Sequence, residues 1–172
     1  MVVRRGARTI QGMAAKPTET SEPTPTRLVL VRHGESNVTV RRVIGGYRTC
    51  DGLSPLGFEQ AARLAARLAD TGEIGADVVI ASNFVRARET ADALLTALGV
   101  DTLAIDPAFG EHDPGPDIDG LTFESYVERF GTPDWHGDPH VVVFPGGETT
   151  AQFHLRVGAR SNWRKTASIT PP

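Results

Sequence analysis

Lysine and cysteine are nearly missing from this chain: 172 residues contain Lys16, Lys165 and Cys50 and no others of either type. A single cysteine excludes an internal disulfide framework and a cysteine-based metal cluster, and it fits a reducing compartment. No apolar run approaches the ~20 residues of a membrane-spanning helix. The basic start (Arg4, Arg5, Arg8) is not followed by the apolar segment of a secretory signal. These absences predict a cytoplasmic protein with no membrane partner. His112, His136, His140 and His154 lack coherent ligand spacing, so no metal and no other cofactor is expected, and each reads as a surface or loop histidine.

Acid is also missing from both ends. Residues 1–16 and 160–172 carry seven of the 18 bases and none of the 21 acids, leaving a middle with 11 bases against 21 acids, net −10. An acidic body excludes nonspecific nucleic-acid binding, which depends on neutralising phosphates. It leaves room for a small phosphorylated substrate held by a few local arginines.

What is present alternates strand and helix. Residues 1–26 read as a disordered leader, because Lys16–Pro25 has almost nothing to bury and three X-Pro restrictions; translation from Met13 instead of Met1 fits the same pattern. A domain spans 27–158. Leu28–Arg32 is a strand; Ser54-Pro55 supplies an N-cap and first-turn proline to a helix reaching about Ala69, with Leu56, Ala61, Leu64, Ala65 and Leu68 on one face. Asp77–Ala81 is the next strand, 85–98 a helix closed by Gly99, and Thr102–Ile105 a third strand. A Gly/Pro/Asp loop fills 107–121, and further helices cover 122–130 and 147–158. This order predicts an α/β fold with a mostly parallel sheet and helices on both faces. Residues 159–172 form an atypical tail without acid, apolar run or helical period.

Ligands of open α/β sheets bind outside the carboxyl ends of the strands. Those ends carry Arg32-His33-Gly34, then Ser82 with Arg86 entering a helix whose N-terminus favours anions, then Glu111 with Asp113 two residues on. An imidazole, two guanidinium groups and a carboxyl suit phosphoryl transfer to a side chain: the nitrogen attacks phosphorus, the arginines hold its oxygens, and the acid protonates the leaving oxygen. Arg88 and Glu89 read as solvated helix charges.

Arg32-His33-Gly34-Glu35, Leu53-Ser54-Pro55-Leu56-Gly57-Phe58-Glu59-Gln60-Ala61, Ser82…Arg86-Ala87…Thr90-Ala91, Glu111, and Pro145-Gly146-Gly147-Glu148-Thr149…Phe153…Arg156 stand in this order between Arg27 and Val157. Together they resemble the histidine phosphatase superfamily, the phosphoglycerate-mutase-like family. The resemblance implies His33 as phosphoryl acceptor, Arg32 and Arg86 as phosphate-cradle arginines and Glu111 as proton donor. Members often carry an Asn six positions after the nucleophile; here that place holds Thr39, with Asn37 two residues earlier, and both are candidate phosphate ligands. The substrate pocket is expected from the 37–50 and 112–140 loops.

The resemblance also implies a second histidine on a later strand ending in His-Gly, and nothing after residue 157 offers one. The domain is therefore expected to be truncated, incomplete at its carboxyl end. A phosphomonoester hydrolase working through phosphohistidine is the leading expectation. A phosphoglycerate-mutase-type phosphotransferase is less favoured, because both lysines lie outside the resembling segments. A non-catalytic module that binds a phospho-ligand is the remaining reading.

Overall fold

The computed structural model describes residues 2–5 and 27–161. Four strands, β1 (Val2–Arg5), β2 (Arg27–Leu30), β3 (Val78–Ala81) and β4 (Leu103–Ile105), form one sheet in the order β2-β1-β3-β4. β3 and β4 pair in parallel, while β1 is antiparallel to both β2 and β3. The strands expected from the alternation, β2, β3 and β4, thus run the same way, and β1 runs against them.

β1 corrects the leader reading. Val2-Val3 begins a short segment of good β-propensity, and in its slot both edges find hydrogen-bond partners: Val3 stands opposite Val29 on one side and Val79 on the other. Residues 6–26 lie outside the described residues.

Helix α2 (Pro55–Thr71) starts where its local chemistry dictates. Ser54 Oγ accepts from Gly57 N at 3.0 Å, Pro55 needs no donor partner, and Gly72 ends the helix at φ 58°. α3 (Val85–Leu98) ends likewise at Gly99, φ 71°. Leu68 of α2 and Ala91, Leu94 and Leu98 of α3 pack on Val79 and Ala81, with Val29 and Val31 beside them. Leu56, expected on that face, is 46% exposed instead.

Both long helices lie on the same face of the sheet, within the α/β architecture expected. The reason is topological: the β2–α2–β3 and β3–α3–β4 connections move the same way across the sheet, and right-handed crossovers then put both helices on one side. On the opposite face Ile80 is buried, but Leu28, Leu30 and Val78 are 48%, 73% and 38% exposed. The remaining helices are α1 (Asn37–Val40), α4 (Phe123–Phe130, capped by Thr122 Oγ1 on Ser125 N at 3.1 Å) and α5 (Thr150–Ser161). α5 packs on a 3-10 turn at Pro107–Phe109 and continues past the boundary expected at 158; residues 162–172 lie outside the described residues. Cys50 is buried against Phe84 and Ala87, an ordinary packing position.

A chain that starts at Met13 lacks β1 and leaves the facing edges of β2 and β3 unpaired. Its stability should fall by about 3 kcal/mol, the loss of several hydrogen bonds worth ~0.5–1.5 kcal/mol net each. Urea unfolding of the two chains measures this, and equal midpoints would show that β1 carries no weight in the sheet.

Candidate active site

The loop after β2 is fixed by close backbone packing. A Cβ on Gly34 would lie 2.6 Å from the carbonyl oxygen of Gly57, and one on Gly57 would collide with the Glu35 carbonyl. Gly34 therefore serves approach to the first turn of α2; flexibility is not its role. Gly34 N donates to Thr90 Oγ1 at 3.1 Å, and Thr90 Oγ1 donates to Arg86 O at 2.8 Å, so the same threonine ties this loop to α3. Ser54 N and Oγ both donate to Glu35, to its carbonyl and carboxylate respectively.

On this platform three strand ends converge. His33 Nδ1 lies 2.6 Å from Gly34 O, an arrangement that puts the ring proton on Nδ1 and the lone pair on Nε2. Arg86 Nε donates to that Nε2 at 3.1 Å. Arg86 Nη2 reaches Glu111 Oε2 at 2.8 Å. The Arg86 guanidinium also lies over the Phe84 ring at 4.3 Å. Arg86 is only 3% exposed, and its Nη1 is buried with no hydrogen-bond partner. A buried, charged donor without a partner is costly, and a bound anion would satisfy it. Burial holds His33 below its ordinary pKa of 6.5; the Gly34 carbonyl opposes this, and the positive charge of Arg86 adds to the lowering.

A recess of about 250 Å³ opens beside these groups, lined by Arg32, His33, Arg86 and Glu111 at one end. Arg32 is exposed there. Thr39 lines the recess, its Oγ1 2.9 Å from the buried Ser36 Oγ, and Ser36 lines it too. Asn37 does not line it; its backbone N–H donates to Gly52 O. Asp113, the competing acid, caps Gly115 N at 3.0 Å and lines a different recess.

Several functional groups escaped the sequence reading. Arg156 donates to Ala108 O, Gly110 O and Glu111 O at 3.0, 3.1 and 3.2 Å, while its partner Glu148 accepts from Asp113 N at 2.8 Å. The pair clamps the segment carrying Glu111 from both sides; only the residue types, not this geometry, were visible beforehand. Asp119, with a side chain 4% exposed, accepts from Gly46 N, Arg48 N and Thr49 Oγ1 and so shapes the 44–49 loop. Glu89 is no solvated charge, since it accepts from Leu53 N at 2.6 Å; Arg88 is exposed as expected. His112 is a loop histidine as expected, but a half-buried one. It lines the recess among Trp135, Phe144 and Phe153, whereas His136, His140 and His154 are exposed.

The profile of the histidine phosphatase superfamily (branch 1) matches residues 28–165. The chain belongs to that superfamily. It is 36% identical over 134 residues to a 2,3-bisphosphoglycerate-dependent phosphoglycerate mutase of Sinorhizobium fredii, covering 76% of this chain and 62% of the mutase. It is 37% identical over 149 residues to a bifunctional protein of Mycobacterium tuberculosis, covering 87% of this chain and 32% of that protein. Among solved structures, native mycobacterial glucosyl-3-phosphoglycerate phosphatase superposes with a TM-score of 0.58 at 28% identity, covering 75% of this chain and 57% of that one. The chain thus spans about three-fifths of the length of the mutases it matches. Among the described residues, no helix of this histidine phosphatase superfamily member is long and apolar enough to cross a membrane.

The lowered His33 and His112 values have a pH signature. Below pH 6.5 the unfolded chain binds protons that the native imidazoles refuse, so stability should fall as pH drops through that range. The His33 ring, followed by NMR, should titrate with a midpoint below 6.5; a midpoint above it would contradict burial as the dominant influence.

Proposed function

We propose that this chain is a phosphomonoester hydrolase that works through phospho-His33 on a small phosphorylated substrate. The observation that carries the reading is the buried, unpartnered Nη1 of Arg86, one guanidinium away from both an imidazole lone pair and a carboxylate. The substrate phosphoryl group takes the place beside Nη1, with Arg32 at the open side and Ser36 and Thr39 as hydroxyl donors. Arg86 Nε then turns from His33 Nε2 to a phosphoryl oxygen and frees the nitrogen lone pair.

His33 Nε2 attacks phosphorus, the bond from phosphorus to the ester oxygen breaks with its electron pair, and Glu111 gives a proton to that oxygen. The Nδ1–H bond to Gly34 O stabilises the positive charge that the phosphorylated ring acquires. Water then attacks phosphorus, losing its proton to Glu111 as the N–P bond breaks and inorganic phosphate leaves. Arg156 and Glu148 act on Glu111 through the backbone they hold.

A mutase-type transfer, returning the phosphoryl group to a second hydroxyl, is the other reading, favoured by the phosphoglycerate mutase relatives. It differs only in what accepts phosphate from His33. Incubation with an aryl phosphate labelled in its phosphoryl group should give an acid-labile, alkali-stable phosphoprotein that vanishes in His33→Ala. Glu111→Gln should slow its formation by about 10²–10⁴-fold. A folded chain that never labels would sink both the hydrolase and the mutase reading.

A further inference from the structure

The recess beside His33 is divided by charge. Among the described residues, its cations, Arg32 and Arg86, both stand at the phosphoryl end, one adjacent to His33 in sequence and the other bonded to it. The remaining walls include Val38, Val43, Ile44, Trp135 and Phe144, with His112 and the hydroxyls of Ser36 and Thr39 among them. The arginines of the surrounding loops are already committed to carboxylates: Arg41 to Asp51 at 2.7 Å, Arg42 to Glu124, Arg48 to Asp119 at 3.8 Å and Arg156 to Glu148 at 2.5 Å. A leaving group carrying its own carboxylate or phosphate therefore finds no counter-charge there, and burying it unpaired is costly.

The apolar half is faced by the aromatic rings of Trp135 and Phe144, and His112 is the polar ring among them. His112 stands edge-on to Trp135 at 5.4 Å and to Phe144 at 5.9 Å, and both of its ring nitrogens are buried without a partner. Burial keeps the ring on the neutral side, able to donate from one nitrogen and accept at the other.

We propose that the substrates are monoesters of a flat, uncharged, mainly apolar alcohol, an aryl or heteroaryl phosphate whose ring stands against Trp135 and Phe144 and whose single polar atom bonds His112. The proposal rests on the phosphatase reading above and narrows it: a sugar-acid or doubly phosphorylated ligand is the wrong shape of charge for this recess.

Calorimetric binding to the whole chain, with 1-naphthyl phosphonate, 3-phosphoglycerate and inorganic phosphate as probes, separates the two levels. The naphthyl compound should bind at least about tenfold tighter than phosphate, and 3-phosphoglycerate no tighter than phosphate. Trp135→Ala should remove most of the naphthyl advantage and leave phosphate affinity unchanged; Val43→Arg should raise affinity for 3-phosphoglycerate. Phosphate binding that persists while 3-phosphoglycerate matches or exceeds the naphthyl compound, or while Trp135→Ala changes nothing, overturns the substrate class alone. Absence of phosphate binding from the folded chain overturns the phosphatase reading and this inference with it.

Discussion

A guanidinium that is 3% exposed must find its counter-charges inside the protein or in a ligand, and that constraint on Arg86 organises the molecule. One edge of the group is used by His33 and Glu111, which come from the ends of β2 and of the segment after β4. Its flat side rests on Phe84. Nη1 has no partner. Because Arg86 sits in the first turn of α3, its position depends on the α2–α3 core beneath the sheet; Thr90, one turn on, ties that helix to Gly34. Fold and site thus share a residue pair, Arg86 and Thr90, so loosening the core also moves the imidazole relative to its cation.

Supporting layers around this pair differ in how they hold. Gly34 and Gly57 bring two backbones together where any Cβ would intervene, a purely steric device. Glu148 and Arg156 act by charge and hydrogen bonding, gripping carbonyls and an amide on both sides of Glu111. Burial and Asp113 push and pull on Glu148, but the Arg156 bonds keep its carboxyl below the usual range and so keep the clamp ionised. The open end of the recess is held differently, with Asp119 fixing the 44–49 loop, and its walls come from loops and the single turn of α1 rather than from the sheet.

Local chemistry was legible in the sequence where it acts over a few residues. Ser54-Pro55 and Gly72 bound α2, Gly99 ends α3, and the apolar runs mark β2 and β3, because caps and periodicity need no knowledge of distant partners. His33, Arg86 and Glu111 could be placed together because each follows a strand that points the same way. What depends on the order of strands was not legible: both helices fall on one face because the crossovers proceed in one direction, and β1 enters the sheet from a segment 21 residues away from β2. The same holds for His112 and Trp135, which meet only when two loops fold over each other, and for Arg156, whose partners are backbone atoms that carry no sequence signature.

In the proposed hydrolase the unpartnered Nη1 of Arg86 binds a phosphoryl oxygen. A structure of the chain soaked with orthovanadate tests this most directly. Vanadium should sit in line with His33 Nε2, with one oxygen on Arg86 Nη1 and Glu111 displaced toward the apolar half of the recess. Vanadate bound elsewhere, or a site unchanged with Arg86 Nε still on His33, would contradict it.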